Sequence, residues 1–437
     1  MENEKDISSP LSCPALLEAN AEKCVRCGQC MSVCPVFAQT GLESDSARGK
    51  MALVRHYRQA PGPEQAQRLE HALSRCLLCG ACENACAAKA PTLASIVAHR
   101  AKGLEMLGPK TLLNLQVEAL TSSGQGAKAL RRTARFAQQL LEKSPEKSQG
   151  LFLRFPASWF TRRRVVPRLN ERPFLESGAV KKMQAAGPGA VGYFAGCGAN
   201  HLFGRSAEAF LAIAEKCHLK IFAPEEQVCC GMAAFACGDV EAARKSAAAN
   251  IMLFADKGLC ALVTTCATCG SFIKSWPGLF PEGHPLAKKA QRLADIHLDA
   301  ADFLLNSPIL SEITSGLKGF DPPIRIWHHT PCHQRFSKAA TDGPRRLLAF
   351  IPGLIIVNSP EEVSCCGHGG SFNIKHYDIS QRICADYAGR ILKSSASILT
   401  AGCTGCMTGL LEGLAGEDGR PAMEVRHPLE VVMQALQ

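Results

Sequence analysis

The sequence predicts a multi-domain α+β protein. A small α-helical N-terminal unit comes first, then a helical and basic connector, then two tandem α/β units built on parallel sheets. Two observations carry this reading. Cysteines 24, 27, 30 and 34 recur with the same spacing at 76, 79, 82 and 86. Farther along, a pattern of five cysteines returns in the same order 135 to 137 residues later. A repeat of that length marks a duplicated structural unit. The expected divisions are residues 1–100, 101–187, 188–320 and 321–437.

The first run is Cys24-Val-Arg-Cys27-Gly-Gln-Cys30-Met-Ser-Val-Cys34-Pro35. Its spacing, C-x₂-C-x₂-C-x₃-C-P, is the bacterial ferredoxin pattern, in which three thiolates hold one iron–sulfur cluster and the fourth ligates the other. The second run, Cys76, Cys79, Cys82 and Cys86, carries Ala87 where the proline would stand. Crossed ligation predicts one [4Fe–4S] cluster on Cys24, Cys27, Cys30 and Cys86, and another on Cys76, Cys79, Cys82 and Cys34. Structural zinc is the competing reading, but zinc sites favour two C-x₂-C pairs separated by a long gap. Pro35 is expected to stop the chain folding back over Cys34.

Composition narrows the class. The chain has 437 residues, 46% hydrophobic and 20% charged, which suits globular domains with sizeable cores. No apolar run is long enough to cross a bilayer, and the start, Met-Glu-Asn-Glu-Lys-Asp, does not resemble a secretory leader. A cytoplasmic location is expected, with peripheral association at the inner face of the membrane allowed. Twenty-three cysteines in a reducing compartment imply metal rather than disulfides. The net charge is +10, concentrated between Leu151 and Ala185, where eight Lys/Arg face two Asp/Glu, with Arg131, Arg132 and Arg135 just before. This patch reads either as a docking surface for an acidic partner or as a solvated face. No nucleic-acid motif accompanies it, so nucleic acid is not an expected partner.

Taken in order, residues Met1 to Glu22 read as a polar arm and short helix, with Cys13 a bystander. After the first run, Arg48 and Lys50 stand where they could tune a neighbouring cluster. Met51 to Arg58 reads as a helix, and Pro61-Gly-Pro63 breaks the chain before a helix carrying His71. Pro91 to about Gln139 has helical periodicity. The basic stretch that follows, with Trp159, Phe160 and several prolines, reads as an irregular connector whose aromatics pack in the core or against a partner.

The repeat then begins. Its first copy holds Cys197, Cys229, Cys230, Cys266 and Cys269; its second holds Cys332, Cys365, Cys366, Cys403 and Cys406. Short apolar runs at Ala190–Phe194, Ala261–Thr265, Ile324–His328, Leu354–Val357 and Ser397–Thr400 read as strands. Helical stretches such as Ser206–Lys216 and Ile379–Leu392 lie between them. This alternation implies parallel sheets, whose strand C-termini form the crevice that binds ligands. The thiols follow the strands. Five are one more than a cubane needs, which suits an unusual cluster or a cubane with a spare thiol. The adjacent Cys-Cys pairs are expected to point apart, as neighbours do in extended backbone. His329, His333 and His368 lie beside the second set and read as core histidines, His333 with a possible relay role in proton movement. Cys217, Cys237, Cys260 and Cys384 match no copy and read as small buried hydrophobes.

The spacings C-x₃₁-C-C-G-x₃₄-C-x₂-C and C-x₃₂-C-C-G-x₃₅-C-x₂-C resemble the cysteine-rich CCG domain. Two ferredoxin runs followed by two such domains resemble the glycolate oxidase iron–sulfur subunit across nearly the whole chain, with Ser46-Ala-Arg48-Gly49 and Cys365-Cys-Gly-His-Gly-Gly-Ser-Phe372 agreeing in detail. The resemblance implies an electron-transfer subunit of a glycolate or D-lactate dehydrogenase. An FAD-containing partner would oxidise the 2-hydroxy acid, and quinone or another carrier would take the electrons. It also implies a further iron–sulfur cluster in one or both CCG domains. The chain itself has no dinucleotide-binding glycine motif, and no catalytic residue is assigned. Both copies keep all five thiols, where subunits of this kind often lose some. That keeps open an alternative, a heterodisulfide reductase type of catalytic subunit that reduces a disulfide at the CCG clusters.

Overall fold

The computed structural model describes residues 21–106, 133, 150–151, 166–415 and 421–437. Cys13, most of the helical stretch expected from Pro91 to about Gln139, Arg131, Arg132, Arg135, Trp159, Phe160 and Arg162–Arg164 lie outside these residues.

The N-terminal unit is helical. Pro35 occupies the first turn of the helix Pro35–Thr40, and the Cys34 thiol caps it by accepting from Phe37 N at 3.5 Å. The proline therefore starts a helix, where its missing N–H costs nothing. Ser46 caps the helix Ala47–Gln59 through Gly49 N. Helices Pro63–Ser74 and Thr92–Met106 complete the unit.

Each CCG region is one four-stranded parallel sheet. In the first, β1 (Val191–Tyr193), β2 (Ile221–Phe222), β3 (Ala261–Thr264) and β4 (His297–Asp299) stand in the order β2-β1-β3-β4. In the second, β5 (Ile324–His329), β6 (Leu354–Ile356), β7 (Ile398–Ala401) and β8 (Glu424–Arg426) stand in the order β6-β5-β7-β8. The topology repeats, and so does the register. Val191 pairs with Ala261, and Ile326 pairs with Ile398, at the offsets that separate the cysteines. All five expected strands form. β2, β4 and β8 were not legible, being only two or three residues long.

The two sheets share a core. Val191, Tyr193 and Phe210 of the first copy pack in one buried cluster with Ile326, Leu347 and Leu429 of the second. The helix Pro428–Ala435 of copy two lies on Gly204–Lys216 of copy one, and Ala300–Leu305 of copy one lies on Gly343–Ala349 of copy two. Each copy thus covers the other reciprocally, and neither helical layer is complete alone.

Arg100 ties the N-terminal unit to this body. Its buried guanidinium donates to Leu73 O at 2.6 Å, Cys76 O at 2.9 Å and, across the boundary, Ala236 O at 2.5 Å. Replacing Arg100 by Met strands three carbonyls. Such bonds from a charged donor are worth about 1.5–3 kcal/mol each, so the variant should lose at least about 2 kcal/mol. Thermal unfolding followed by circular dichroism checks this; an unchanged midpoint would mean the bonds contribute nothing net.

Candidate metal centres

Both ferredoxin runs fold by the same local device. Arg26 and Leu78, one residue before the second cysteine, take left-handed φ values of 61° and 52°, and Gly28 and Gly80 follow at 87° and 82°. Two left-handed residues flanking one cysteine curl the chain, so that thiols three apart turn inward together. The strain at a non-glycine position, of order 1–3 kcal/mol, marks a backbone that the surrounding structure enforces.

Cys34, from the first run, lines one small cavity with Cys76, Cys79 and Cys82 from the second. Cys24, Cys27 and Cys30 lie close enough together for their charges to interact. The helices Gln29–Ser32 and Ala81–Asn84 pack on one another, which brings the two runs side by side. Burial pushes Cys79 up to about 12 and raises Cys82 as well. Burial raises Cys34 too, and thiols so crowded on one cavity suit a multivalent metal centre.

Two cations stand by. Lys50 is fully buried; its ammonium donates to Ser44 O at 3.3 Å and to Asp45 O, and it feels Cys76 and Cys34. Arg48 pairs with Glu43 at 2.8 Å and lies over Gly28, within electrostatic reach of Cys30 and Cys24. One basic residue therefore stands beside each thiol set, where the sequence reading had both near a single cluster.

In the CCG regions the thiols follow the strands as expected. Cys197 and Cys229 interact directly, as do Cys230 with Cys269 and Cys269 with Cys266. In the second copy Cys365 touches Cys366, Cys366 touches Cys406, and Cys406 touches Cys403. The adjacent pairs do not point apart. Cys229 and Cys230 interact with one another, because the chain there is not part of a strand and bends at left-handed glycines just after each pair, Gly231 at φ 101° and Gly367 at φ 74°. Within the sets hydrogen bonds from neighbouring thiols pull some members down, Cys230 by Cys229 and then Cys269, Cys266 by Cys269 and then Cys403, and Cys366 by Cys365 and then Cys406. Others, such as Cys197 and Cys332, are pushed well up. Such a set releases a first proton readily and the rest only to a cation.

The sets are not isolated from one another. Cys266 of copy one interacts directly with Cys403 of copy two. Thr268 Oγ1 lies 3.1 Å from Cys403 Sγ, Thr404 Oγ1 lies 3.8 Å from Cys266 Sγ, and Ala267 N donates to Gly402 O at 2.9 Å. Gly198 is indispensable here, since a Cβ on it would fall 2.0 Å from Thr404 Oγ1. On the other side Cys79 lies near both Cys332 and Cys365. The thiols thus form a close succession from the N-terminal unit, through copy two, to copy one.

The histidines divide. His333 is half-buried, with Nδ1 3.0 Å from Thr268 Oγ1, on the boundary between the copies. His329 differs from the expectation of an ordinary core histidine. A ring nitrogen of His329 and the sulfurs of Cys366 and Cys406 all lie within 4.8 Å of one another, a group able to hold a metal. The signal was its position, the last residue of a strand whose counterpart ends before a thiol loop. Of the unmatched cysteines, Cys384 is buried as expected, with its thiol donating to Gly409 O at 2.6 Å; Cys217 and Cys237 are half-buried, and Cys260 is exposed, which corrects its reading as a buried hydrophobe.

Comparison with known proteins agrees with the geometry. Residues 20–90 match the model of the 4Fe-4S dicluster domain. Residues 191–274 and 326–410 each match the cysteine-rich CCG domain. The chain therefore carries one dicluster domain and two cysteine-rich domains. A lactate utilization protein A from Bacillus licheniformis is 29% identical to it over 225 residues, 52% of this chain and 91% of that protein. Another from Geobacillus kaustophilus is 28% identical over 242 residues, 55% of this chain and 98% of that protein. A probable glycolate oxidase iron-sulfur subunit from Bacillus subtilis is 25% identical over 438 aligned positions, 96% of this chain and 94% of that protein. The matched domains make iron–sulfur binding the chemistry of this chain. No helix among the described residues is long and apolar enough to cross a membrane.

Replacing Lys50 by Met removes a buried positive charge beside Cys34 and Cys76. A one-electron centre held there should become harder to reduce by roughly 1–2 kcal/mol, taking an effective dielectric near 20. A redox titration followed by electron paramagnetic resonance measures this; a midpoint that does not fall would place Lys50 outside the field of that centre.

Proposed function

We propose that this protein is the iron–sulfur electron-transfer subunit of a 2-hydroxyacid dehydrogenase complex, with glycolate or D-lactate as the acid. The observation that carries the reading is the close succession of thiols, with Cys79 beside Cys332 and Cys365, and Cys266 against Cys403. Iron–sulfur centres, when bound, supply one-electron oxidation and reduction over a wide range of potentials. The chain's own residues hold such centres in series, exclude water from them and set the charge around them.

The assignment of ligands follows the sequence reading. Cys24, Cys27, Cys30 and Cys86 hold one N-terminal [4Fe–4S] cluster, and Cys34, Cys76, Cys79 and Cys82 hold the other. The shared cavity of the second set supports the crossing. Cys197, Cys229, Cys230, Cys266 and Cys269 hold a centre in copy one, and Cys332, Cys365, Cys366, Cys403 and Cys406 hold one in copy two. The donor is a separate FAD-containing subunit, as the relatives' names suggest for their own systems, and quinone or another carrier is the acceptor. The protein works in the cytoplasm, docked at the inner face of the membrane when quinone is the acceptor.

One observation favours a second reading. Both CCG copies keep five thiols, and their sets touch, as a centre that splits a disulfide between two clusters would require. An assay of disulfide reduction by the chemically reduced protein separates the two: turnover with a thiol disulfide and none with a flavoprotein partner would replace the first reading by the second.

Two substitutions test the crossing. Cys27→Ser should abolish one of the two N-terminal cubane signals in electron paramagnetic resonance, and Cys34→Ser should abolish the other. Loss of the same signal in both variants would show that each run serves its own cluster. Cys366→Ser should lower iron content and leave both N-terminal signals intact; unchanged iron would remove the Cys-Cys pair from the ligands.

A further inference from the structure

The two CCG copies are alike in thiols and unlike in what faces them. At the end of β1 the residue before the thiol loop is Phe194; at the equivalent place in β5 it is His329. Phe194 is fully buried and packs edge-on against Trp276 and Phe254, with ring centroids 6.0 and 6.3 Å away. Copy one therefore presents hydrocarbon where copy two presents an imidazole.

A directed hydrogen-bond chain decides how that imidazole is protonated. Trp327 Nε1 lies 3.0 Å from Tyr387 Oη, and both are buried. An indole can only donate. The phenol oxygen accepts that bond and still has its own proton to place. His329 Nδ1, 3.2 Å away, is the acceptor the structure offers it. Nδ1 then accepts, so the ring is neutral and carries its hydrogen on Nε2. Nε2 is buried and has no hydrogen-bond partner among the described residues, and the ring offers a nitrogen within 4.8 Å of the sulfurs of Cys366 and Cys406. The opposite direction, with Nδ1 donating to the phenol, would leave a buried phenolic proton unsatisfied, a cost of about 1–3 kcal/mol.

We propose that His329 donates a hydrogen bond from Nε2 to the sulfur of the second CCG centre, fixed in that tautomer by Tyr387 and Trp327, and so sets this centre's potential above that of the first. A donor aimed at sulfur stabilises the more negative, reduced state, and hydrogen bonds to sulfur are a main control of cluster potential. Copy one has no counterpart, because Gly192 and Phe194 stand where Trp327 and His329 do. Electrons in the succession of centres then settle on copy two in preference to copy one. His329 is a positioning and tuning residue, not a ligand. This proposal rests on the reading that the second thiol set holds an iron–sulfur centre.

The experiment is a redox titration of the full-length, iron-loaded protein purified without oxygen, followed by electron paramagnetic resonance, with pulsed spectra recorded after exchange into D₂O. His329→Phe should make one CCG centre at least tenfold harder to reduce, about 59 mV for one electron, and leave the other unmoved. It should also remove an exchangeable deuteron coupled to that centre. His329→Gln keeps an N–H and should restore most of the midpoint. Tyr387→Phe, which removes the proton given to Nδ1, should shift the midpoint in the same direction as His329→Phe. Unmoved CCG midpoints in His329→Phe and Tyr387→Phe, with iron content intact, overturn this proposal alone. A nitrogen coupling as strong as a direct iron–nitrogen bond also overturns it, by making His329 a ligand. Native protein with no iron on the second set overturns both the proposal and the reading beneath it.

Discussion

Crowded thiols that cannot shed their protons to water govern this structure. Desolvation penalises the thiolate, and each thiolate formed penalises the next. Cys79, Cys197, Cys332 and Cys406 are all pushed upward, and the few pulled down are held by their neighbours' hydrogen bonds. Such an arrangement is expensive unless metal replaces the protons, as binding energy in metal sites generally becomes folding energy. The strained turns at Arg26 and Leu78, the buried Lys50 and the close approach at Gly198 all serve this one crowding.

The reciprocal packing of the two CCG copies follows from the same demand. Each sheet alone would bring its thiols to one exposed edge. Facing the edges together buries them, and the exchange is mutual: Thr268 reaches Cys403 while Thr404 reaches Cys266. The terminal helices are exchanged on the outer side as well, so the thiol boundary is clamped from both faces. The N-terminal unit then closes the remaining side, with Arg100 bonded across the boundary and Cys79 set against the second copy. Three units become one body around a line of sulfur.

Duplication does not make the copies equivalent. The strand ends differ at Phe194 and His329, and the residues after the first thiols differ at Gly198 and His333. Copy one is lined there by hydrocarbon and copy two by imidazole, with a tryptophan and a tyrosine behind it. A repeated scaffold with unequal surroundings is the simplest way to give two like centres different affinities for an electron.

Much of this was legible in the chain. Thiol spacing is a local property, and the curl it needs lies within a few residues, so Cys24 to Cys34 and Cys76 to Cys86 declared themselves. The constant offset of the later thiols likewise exposed the duplicated sheets, because strands and loops of one fold keep their length. What the spacing could not say is which groups meet across the units. The contact of Cys266 with Cys403, the approach of Cys79 to Cys332, the touching Cys229–Cys230 pair and the aim of His329 at Cys366 and Cys406 each depend on how long-range packing turns one surface onto another. No periodicity encodes that, since it is decided by the summed burial of two sheets and a helical cap rather than by any one stretch of residues.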